Sequence, residues 1–295
     1  MLLPGDAIGP EISAATRTAL EALSARLQLD LNVTQRDIGL ASLEREGTTF
    51  PDDIERLARA SDAVVLGPAS TYDYPDQPNP SAEMRTRLDL YANIRPSRTH
   101  PALPAPVGPF DLVIVRENTE GFYADRNMFE GSGEFMPEPD IALAVRKITE
   151  KGSRRIAKVA CELAMMRGKH LTVVHKANVL RMSDGLFKRS VEAQALDYPG
   201  LNLDERIVDA MAAMLVRDPA QFDVVVTTNM FGDILSDEAA ELAGGLGLAG
   251  SVNAGDDVAV AQAIHGSAPD IAGRNIANPI ALMRSCAMLF GWTAA

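Results

Sequence analysis

The sequence has few cysteines, few aromatic residues and no long hydrophobic run. Its two cysteines, Cys161 and Cys286, lie far apart in apolar stretches, which is too few for a disulfide framework and the wrong spacing for a zinc site. We therefore predict that both are reduced core residues of a cytoplasmic protein. Nowhere do about eighteen apolar residues follow one another, so no transmembrane helix is expected. Residues 1–6 do not pair a basic region with an apolar core, so no secretory signal is expected.

Positive charge is also scarce. The 295 residues include 28 Lys and Arg against 40 Asp and Glu, which gives a formal net charge of −12 at pH 7. A protein that binds nucleic acid or an anionic membrane surface needs a clustered surplus of basic residues. We therefore expect neither nucleic acid nor a membrane as a partner. The length allows one large domain or two, at about 100–200 residues each.

Apolar segments typical of buried strands alternate with segments of helical periodicity. The strand-like segments are short and rich in β-branched residues, and they occur at residues 63–67, 112–115, 171–174 and 224–227. Helical periodicity extends over residues 10–27, 54–60, 141–166 and 203–216. This alternation predicts an α/β fold whose strands are covered on both faces. Irregular composition predicts loops at residues 68–80, 96–109 and 125–139, the last of them a protruding arm.

Arginines cluster locally in this acidic chain. Arg85, Arg87, Arg95 and Arg98 lie within one short segment, and Arg116 ends the strand predicted at 112–115. Guanidinium groups bind carboxylates through paired hydrogen bonds, so converging arginines indicate a substrate with two or three carboxylates. The alternative is a solvated helix face without a ligand.

Two aspartates lie four residues apart on a predicted helix. Asp233 and Asp237 share one face just after the strand at 224–227, and Asp209 lies on the preceding predicted helix. Carboxylates at this spacing repel each other unless a cation lies between them, and oxygen ligands suit Mg²⁺ or Mn²⁺. The alternative is a pair of exposed helix aspartates.

Two further residues are candidates for proton transfer. Lys176 lies in the segment that directly follows the strand predicted at 171–174, and a lysine at such a strand end can project into a cleft and act as a base. Tyr123 lies seven residues beyond Arg116 and can donate a proton. The alternatives are an ordinary surface lysine and a core tyrosine with a satisfied hydroxyl.

The segment 265–279 is rich in small residues and contains the acidic Asp270. Small residues let the backbone approach a ligand, and a carboxylate can bind the 2′-hydroxyl of an adenosine ribose. The segment does not match the G-x-G-x-x-G fingerprint. Neither a phosphate-binding Walker loop nor a G-x-S-x-G elbow occurs in the sequence.

Five blocks, in order, resemble the metal-dependent β-decarboxylating dehydrogenases, which act on isocitrate, homoisocitrate, 3-isopropylmalate, and tartrate or D-malate. The blocks are residues 88–96, 115–121, 174–179, 229–237 and 265–279. The resemblance implies a two-lobed α/β fold with a large mixed sheet and an active site in the cleft between the lobes. The implied lobes are a cofactor lobe, 1–91 with 244–295, and a lobe for substrate, metal and dimerisation, 92–243, with an arm near 125–139.

The resemblance also implies a role for each candidate residue. Arg85, Arg95 and Arg116 correspond to the arginines that hold the malate carboxylates, and Tyr123 to the acid that protonates the enolate after CO₂ leaves. Asp233 and Asp237 correspond to Mg²⁺ or Mn²⁺ ligands. Lys176 corresponds to the lysine that assists deprotonation of the C2 hydroxyl, and Asp209 corresponds to a further metal ligand. Both correspond to residues that the second subunit of a homodimer supplies. The residues implied at the cofactor are Asn178, His265, Gly266, Ser267, Ala268, Asp270, Ile271 and Asn278.

Cofactor and substrate choice depend on a few positions. Asp270 favours NAD over NADP, because a carboxylate repels a 2′-phosphate. Asn79 and Ser81 lie where the third malate substituent is expected, and their polarity favours an isocitrate or homoisocitrate type of substrate; 3-isopropylmalate, and tartrate or D-malate, are the alternatives. Two positions depart from the family pattern, with Ala7 for a usual glycine and Gln262 for a frequent glutamate.

Two other classes of protein remain as alternatives. A non-catalytic regulatory subunit of an isocitrate dehydrogenase would generally lose some of these arginines, aspartates, the lysine or the tyrosine, and none is lost here. A Mg²⁺-dependent hydrolase would leave the segment 265–279 unexplained.

Overall fold

The structure, a computed structural model, describes residues 1–123, 125 and 128–293. The part of the arm prediction that falls on residues 126 and 127 lies outside the described residues. The chain divides into two compact units, one formed by Met1–Leu90 with Leu246–Ala295 and the other by Tyr91–Gly245. We refer to these as unit 1 and unit 2.

Strands and helices alternate along most of the described chain. The strands are β1 (Leu2–Leu3), β2 (Val64–Leu66), β3 (Ala92–Arg98), β4 (Asp111–Glu117), β5 (Glu134–Glu138), β6 (Ile141–Ala144), β7 (His170–His175), β8 (Asn202–Ile207), β9 (Val224–Thr227), β10 (Gly250–Ala254) and β11 (Ala259–Ala263). The helices are α1 (Gly9–Leu27), α2 (Leu40–Glu46), α3 (Asp53–Arg59), α4 (Pro80–Arg87), α5 (Glu150–Met166), α6 (Ser183–Ala195), α7 (Val208–Arg217), α8 (Asn229–Leu242) and α9 (Ile280–Thr293).

Unit 2 is built on strands in the order β3-β4-β9-β7-β8. The pair β3/β4 is antiparallel, and β4, β9, β7 and β8 run parallel, so the sheet is mixed. The carboxyl ends of parallel strands meet at one edge of a sheet, which is where ligands bind in α/β proteins. The register brings the strand ends side by side, with Arg116 opposite Thr227 and His175 opposite Ile207.

Helices cover both faces of this sheet. On β4, Val113 and Val115 pack into the cluster that contains Ile156 and Ala160 of α5, whereas Leu112 and Ile114 pack into the cluster formed with α7 and α8. Both faces are therefore apolar, which explains why the sequence shows continuous apolar runs here rather than alternation. The α/β class, with strands covered on both faces, is confirmed.

Unit 1 contains strands in the order β1-β2-β11-β10, with β10 and β11 antiparallel and the other pairs parallel. One apolar cluster joins Ile12 of α1 and Leu282 of α9 to the sheet. A second cluster joins Ile54 of α3 and Met84 of α4 to β1 and β2. The helices α4 and α9 thus pack on the strands of unit 1. This packing fixes the segments that carry the site candidates of unit 1.

A buried carboxylate organises the first turn of unit 1. Asp6 accepts hydrogen bonds from the backbone N–H of Leu40 (2.7 Å) and Ser70 (2.9 Å) and from the hydroxyl of Tyr74 (2.7 Å). Ala7 beside it adopts φ of 50°, a left-handed conformation that costs about 1–2 kcal/mol for a residue other than glycine. This agrees with the sequence observation that Ala7 stands where glycine is usual.

Two helix predictions are wrong at their amino-terminal ends. The first part of the segment predicted over 141–166 is strand β6, paired antiparallel with β5, and α5 begins only after Thr149, whose side chain caps it. The first part of the segment predicted over 203–216 is strand β8, paired parallel with β7. In both places, ladder hydrogen bonds to a neighbouring strand outweigh the local helical pattern.

Loop predictions were partly wrong as well. Residues 96–98 lie in β3, where Pro96 is opposite Val113, so that loop begins after Arg98. Residues 134–138 form β5, which makes part of the predicted arm a two-stranded hairpin with β6. Cys161 and Cys286 are unpaired and buried, which confirms that both are core residues without a disulfide. Among the described residues, no helix is long and apolar enough to span a membrane.

Candidate active site

Arg116 is the centre of a polar cluster at the carboxyl end of β4. Its side chain is only 1% exposed. Its Nε and Nη2 donate to Asn229 Oδ1 at 3.0 and 2.7 Å, Nη2 donates to the Tyr123 hydroxyl at 2.7 Å, and Nη1 forms an ion pair with Asp233. The Tyr123 hydroxyl in turn donates to Asp233 Oδ2 at 2.6 Å. The predicted substrate arginine, proton donor and metal ligand therefore lie together.

Arg95 of β3 lies in the same cluster. Its Nη1 is 3.0 Å from Asp233 Oδ1 and 3.1 Å from Asp237 Oδ1, and it donates to Ser236 Oγ at 2.8 Å. Burial, together with the nearby charge of Arg116, lowers the pKa of Arg95 to about 10. The guanidinium group still carries its charge at neutral pH, so two buried cations face the two aspartates.

The two aspartates lie one turn apart on α8, as the sequence predicted. Their side chains are 37% and 48% exposed, and both accept from buried arginines. Burial and the charge of Asp233 raise the pKa of Asp237. A bound cation would relieve this repulsion, and the donor set of carboxylate oxygens suits Mg²⁺ or Mn²⁺, which take one or two carboxylates and complete their coordination with water and substrate. The residues therefore fit the implied metal.

Lys176 and Asp209 form a separate ion pair. Both follow parallel strands. Lys176 comes directly after β7, Asp209 lies in the first turn of α7 two residues beyond the end of β8, and the register of the two strands places them side by side. The Lys176 ammonium lowers the pKa of the Asp209 carboxyl. Within the described part of the chain, no group of three His, Cys, Asp or Glu residues is close enough to hold a metal ion, so one chain does not bring Asp209 to Asp233 and Asp237.

The predicted substrate residues of unit 1 lie on or beside α4. Arg85 is half-buried in this helix. The side-chain oxygen of Asn79 caps the helix by accepting from the backbone N–H of Ser81 and Ala82. The Ser81 hydroxyl accepts from the Gln262 side-chain amide at 2.8 Å. Asn79 and Ser81 thus carry structural hydrogen bonds in addition to any contact with a ligand.

The departure at Gln262 has a structural use. Its amide donates to Ser81, and its carbonyl oxygen accepts from Asn253 Nδ2 at 3.1 Å. A glutamate at this position would have no N–H to donate to the hydroxyl. The chain thus couples β11, which carries Gln262, to the first turn of α4.

The predicted cofactor segment is fixed against the first turn of the chain. Ser267 accepts at its carbonyl oxygen from Ile8 N–H (3.1 Å), and its hydroxyl bonds to that of Ser70 (2.9 Å). Ala268 adopts φ of 42°, which turns the chain before the exposed Asp270. A Cβ placed on Gly266 would meet no neighbouring atom, so the backbone there borders open space. Polar groups beside open backbone fit an adenosine ribose.

The remaining cofactor candidates lie nearby in the sequence or in the other unit. His265 Nδ1 lies 3.0 Å from the Gly266 carbonyl oxygen, and Ile271 belongs to a short 3-10 turn. Asn278 accepts from Ile280 N–H at 3.1 Å just before α9. Asn178 is exposed in the turn after Lys176, in unit 2.

Several residues of the unit 2 cluster were not singled out from the sequence. Asn229 and Ser236 lie within the block 229–237, and Asn93 within 88–96, but a lone amide or hydroxyl gives no spacing signal. Glu120, also in a resembling block, is 3% exposed and links the Tyr123 loop to α5. Its carboxylate accepts from Thr149 N–H and hydroxyl, at 2.9 and 2.8 Å.

We expect Glu120→Gln to stabilise the protein at high pH. Burial and the charge of Glu117 raise the pKa of Glu120 from 4.5 to about 7. A carboxyl that binds its proton more tightly in the folded chain loses stability as pH rises between the two pKa values. Glutamine is neutral at every pH. The difference between 4.5 and about 7, at about 1.4 kcal/mol per pKa unit, corresponds to about 3.5 kcal/mol of stability that the variant does not lose. Its amide nitrogen cannot accept from one of the two Thr149 donors, which costs about 1 kcal/mol, so the variant should exceed the parent protein by about 2–3 kcal/mol at pH 8 and should not exceed it below pH 5.

Urea unfolding at pH 5 and pH 8 measures this difference. Glu44→Gln, at an exposed position of α2, is the matched surface control. If the Glu120 variant were equally or less stable than the parent protein at pH 8, burial of an ionised Glu120 would not lower the free energy of unfolding.

Comparison with known proteins agrees with the geometry. The family model described as isocitrate/isopropylmalate dehydrogenase matches residues 1–294. An isocitrate/homoisocitrate dehydrogenase of Thermus thermophilus is 43% identical over 99% of this chain and 84% of its own length. A 3-isopropylmalate dehydrogenase of Saccharolobus solfataricus is 40% identical over 98% of this chain and 82% of its own length. The crystal structure of isocitrate dehydrogenase from Methylococcus capsulatus superposes with a TM-score of 0.89, at 40% identity, and covers 99% of this chain and 84% of that one.

The fold and site define an oxidative decarboxylating dehydrogenase of the class that acts on 3-substituted malates. The chain belongs to the isocitrate/isopropylmalate dehydrogenase family, as the five sequence blocks indicated. The family is metal-dependent, uses NAD or NADP, and acts on small hydroxy acids.

Proposed function

We propose that the protein catalyses the NAD-dependent oxidative decarboxylation of a 3-substituted malate of the isocitrate or homoisocitrate type. The observation that carries the proposal is the buried pair Arg95 and Arg116, held against Asp233 and Asp237 with the Tyr123 hydroxyl between Arg116 and Asp233. Two buried guanidinium groups are suited to a multiply charged anion, whose desolvation they offset. A non-catalytic subunit would not need to retain this set together with Lys176.

The arginines provide binding and orientation. In the free enzyme, Arg95 and Arg116 bond to the aspartates of α8. The substrate carboxylates take over these donors in the complex, and Arg85 contributes a third guanidinium group. Asp233 and Asp237, together with Asp209 of the partner subunit, would hold the metal ion. Bound Mg²⁺ or Mn²⁺ supplies Lewis-acid polarisation of the substrate oxygens, and bound NAD supplies the hydride acceptor.

Two residues move protons. Lys176 of the second subunit assists removal of the proton from the C2 hydroxyl as the hydride leaves C2. After CO₂ has left C3, the Tyr123 hydroxyl protonates that carbon. Tyr123 is suited to this step because Arg116 donates to its oxygen at 2.7 Å, which stabilises the phenolate left behind.

The substrate is distinguished at the first turn of α4. The Asn79 side-chain oxygen is used in capping, so its amide group is what remains for a substrate oxygen, and the Ser81 hydroxyl is held by Gln262. These polar groups favour a carboxylate or hydroxyl substituent over an isopropyl group. Isocitrate, homoisocitrate, 3-isopropylmalate, tartrate and D-malate should be compared with NAD and Mg²⁺ or Mn²⁺. The highest kcat/KM with 3-isopropylmalate would support the alternative, a 3-isopropylmalate dehydrogenase, and the highest with tartrate or D-malate a dehydrogenase of that type.

We expect the enzyme to prefer NAD, and Asp270→Lys to reverse much of that preference. The exposed Asp270 carboxylate accepts from the 2′-hydroxyl of NAD and repels a 2′-phosphate, whereas lysine attracts it. The ratio of kcat/KM for NAD to that for NADP should fall by about 100-fold. This allows about tenfold for the lost contact with the 2′-hydroxyl and about tenfold for the attraction of the 2′-phosphate, each equal to about 1.4 kcal/mol of binding energy. Steady-state kinetics with both cofactors tests this, with Asp257→Lys as an exposed control in the same unit. A parent enzyme with the higher kcat/KM for NADP would contradict the assignment.

A further inference from the structure

A buried arginine outside the substrate cluster lies where three elements of unit 2 meet. The Arg146 side chain is 8% exposed and forms an ion pair with the fully buried Asp184 of α6. Its Nη1 also donates to Ser183 Oγ at 3.0 Å, and its Nη2 donates to Thr228 Oγ1 at 3.0 Å. Thr228 immediately precedes α8, and its hydroxyl makes no capping bond to that helix. The guanidinium group therefore joins the start of α6 to the start of α8.

Two aromatic rings also contact this guanidinium group. The Arg146 Cζ lies 5.5 Å from the Phe122 ring centroid and 5.3 Å from that of Phe231. Phe122 directly precedes Tyr123, and Phe231 lies in the first turn of α8, two residues before Asp233. Cation–π contacts of this kind are stronger when they are desolvated, as they are here. They fix the loop and the helix that carry the proposed proton donor and metal ligand.

Asp184 connects Arg146 to the backbone of Lys176. Its Oδ2 accepts from the backbone N–H of Lys176 at 2.6 Å, while Oδ1 bonds to Arg146. A fully buried carboxylate is costly unless its charge is paired, so Arg146 is what allows Asp184 to hold the Lys176 turn.

We propose that Arg146 is a positioning residue, which sets the Lys176 turn through Asp184 and the Tyr123 loop and α8 through Phe122, Phe231 and Thr228. The inference rests on the proposed roles of Lys176 and Tyr123. Lysine cannot replace the arginine, because only a planar guanidinium group donates to Ser183 and Asp184 with one nitrogen and to Thr228 with another while it lies against two rings.

Steady-state kinetics of Arg146→Lys and Arg146→Gln tests the proposal. We expect kcat to fall about 100-fold, the effect of a misplacement near 1 Å, while KM for NAD, whose ribose-binding segment lies in unit 1, stays within about twofold. Arg154→Gln, at an exposed arginine of α5 that pairs with Glu150, is the matched control and should retain full activity. Unchanged kcat in a folded Arg146 variant would overturn the proposal. Full activity of Arg146→Lys would show that a positive charge is sufficient at this position. That result would also overturn the proposal.

A double variant separates positioning from general loss of structure. If Arg146 acts through Lys176, then Arg146→Gln should cost much less in a Lys176→Ala background than alone, because the group it positions is already gone. Independent effects that multiply would overturn the connection through Asp184.

Hydrogen exchange of the backbone gives a readout that does not depend on turnover. Arg146→Gln should speed exchange in the peptide that contains the Lys176 amide and leave peptides of β3 and β4 unchanged. If Arg146→Gln does not fold, Ser183→Ala with Thr228→Val removes two of its acceptors and should give the same exchange pattern more weakly; unaltered exchange at Lys176 overturns the proposal. If the parent enzyme were inactive but Arg146→Gln still altered hydrogen exchange at Lys176, the proposed function would be wrong. The positioning role of Arg146 would then still stand.

Discussion

Replacing Lys176 by alanine is expected to lower kcat by about 10²–10⁴-fold, the usual contribution of a positioned acid or base. The ammonium group pairs with Asp209 at the surface, and an ion pair open to solvent contributes little to stability. The variant should therefore fold and unfold like the parent enzyme while turnover collapses. Steady-state kinetics with the best substrate of the panel, together with thermal unfolding, measures both quantities.

The matched control is Lys158→Ala, at an exposed lysine of α5 that pairs with Glu162. It removes the same charge at a position without a proposed role and should leave kcat unchanged. Near-normal turnover in Lys176→Ala would remove the lysine from the mechanism.

Replacing Tyr123 by phenylalanine should have an effect of similar size, about 10²–10⁴-fold on the complete reaction. The substitution removes one oxygen, which accepts from Arg116 at 2.7 Å and donates to Asp233 at 2.6 Å, and leaves the ring in place. The proton that replaces CO₂ at C3 then has no donor. The loss should appear in kcat far more than in KM, because the hydroxyl acts after the substrate is bound.

Tyr198→Phe is the matched control for the tyrosine. Its hydroxyl lies 3.4 Å from Glu162 and away from the cluster at β4, so its loss should not change turnover. Equal activity of Tyr123→Phe and the parent enzyme would contradict the assignment.

Mixing the two inactive variants tests whether the site is shared between subunits. Each mixed dimer of Lys176→Ala and Tyr123→Phe subunits would hold one site with an intact tyrosine from one chain and an intact lysine from the other. We therefore expect activity to return when the variants are unfolded together and refolded. No recovery in dimers shown to have exchanged subunits would place Lys176 and Tyr123 of one site on the same chain.

The sequence predicted best those elements whose signals are local. Strands β2, β4, β7 and β9 are short runs of β-branched residues, buried on both faces, and such runs have few other uses in a chain of this composition. Residues 141–144 and 203–207 fall at the start of predicted helices, because so short a segment beside a run of helical periodicity does not define a period of its own. Only pairing with β5 and β7 decides these cases, and pairing is not visible in one sequence.

The same distinction holds for the site. Arg116 and Lys176 could be found because each lies within two residues of the end of a strand signal, and the carboxyl ends of parallel strands are where α/β proteins bind ligands. Arg146 and Asp184 are 38 positions apart, and Arg146 and Thr228 are 82 apart, so no spacing within the chain relates them. The pairing of β7 with β9 places the segments that follow these two strands side by side. The buried guanidinium group of Arg146 then contacts Asp184 and Thr228.

The stoichiometry of products from the preferred substrate tests the proposed reaction most sharply. With NAD and Mg²⁺ or Mn²⁺, we predict one CO₂ released for each reduced nicotinamide formed, and neither product from the Lys176→Ala enzyme at a comparable rate. Reduced nicotinamide without CO₂ would show that the Arg95, Arg116 and Tyr123 cluster does not support decarboxylation. Absence of both products with every 3-substituted malate of the panel would contradict the proposed function itself.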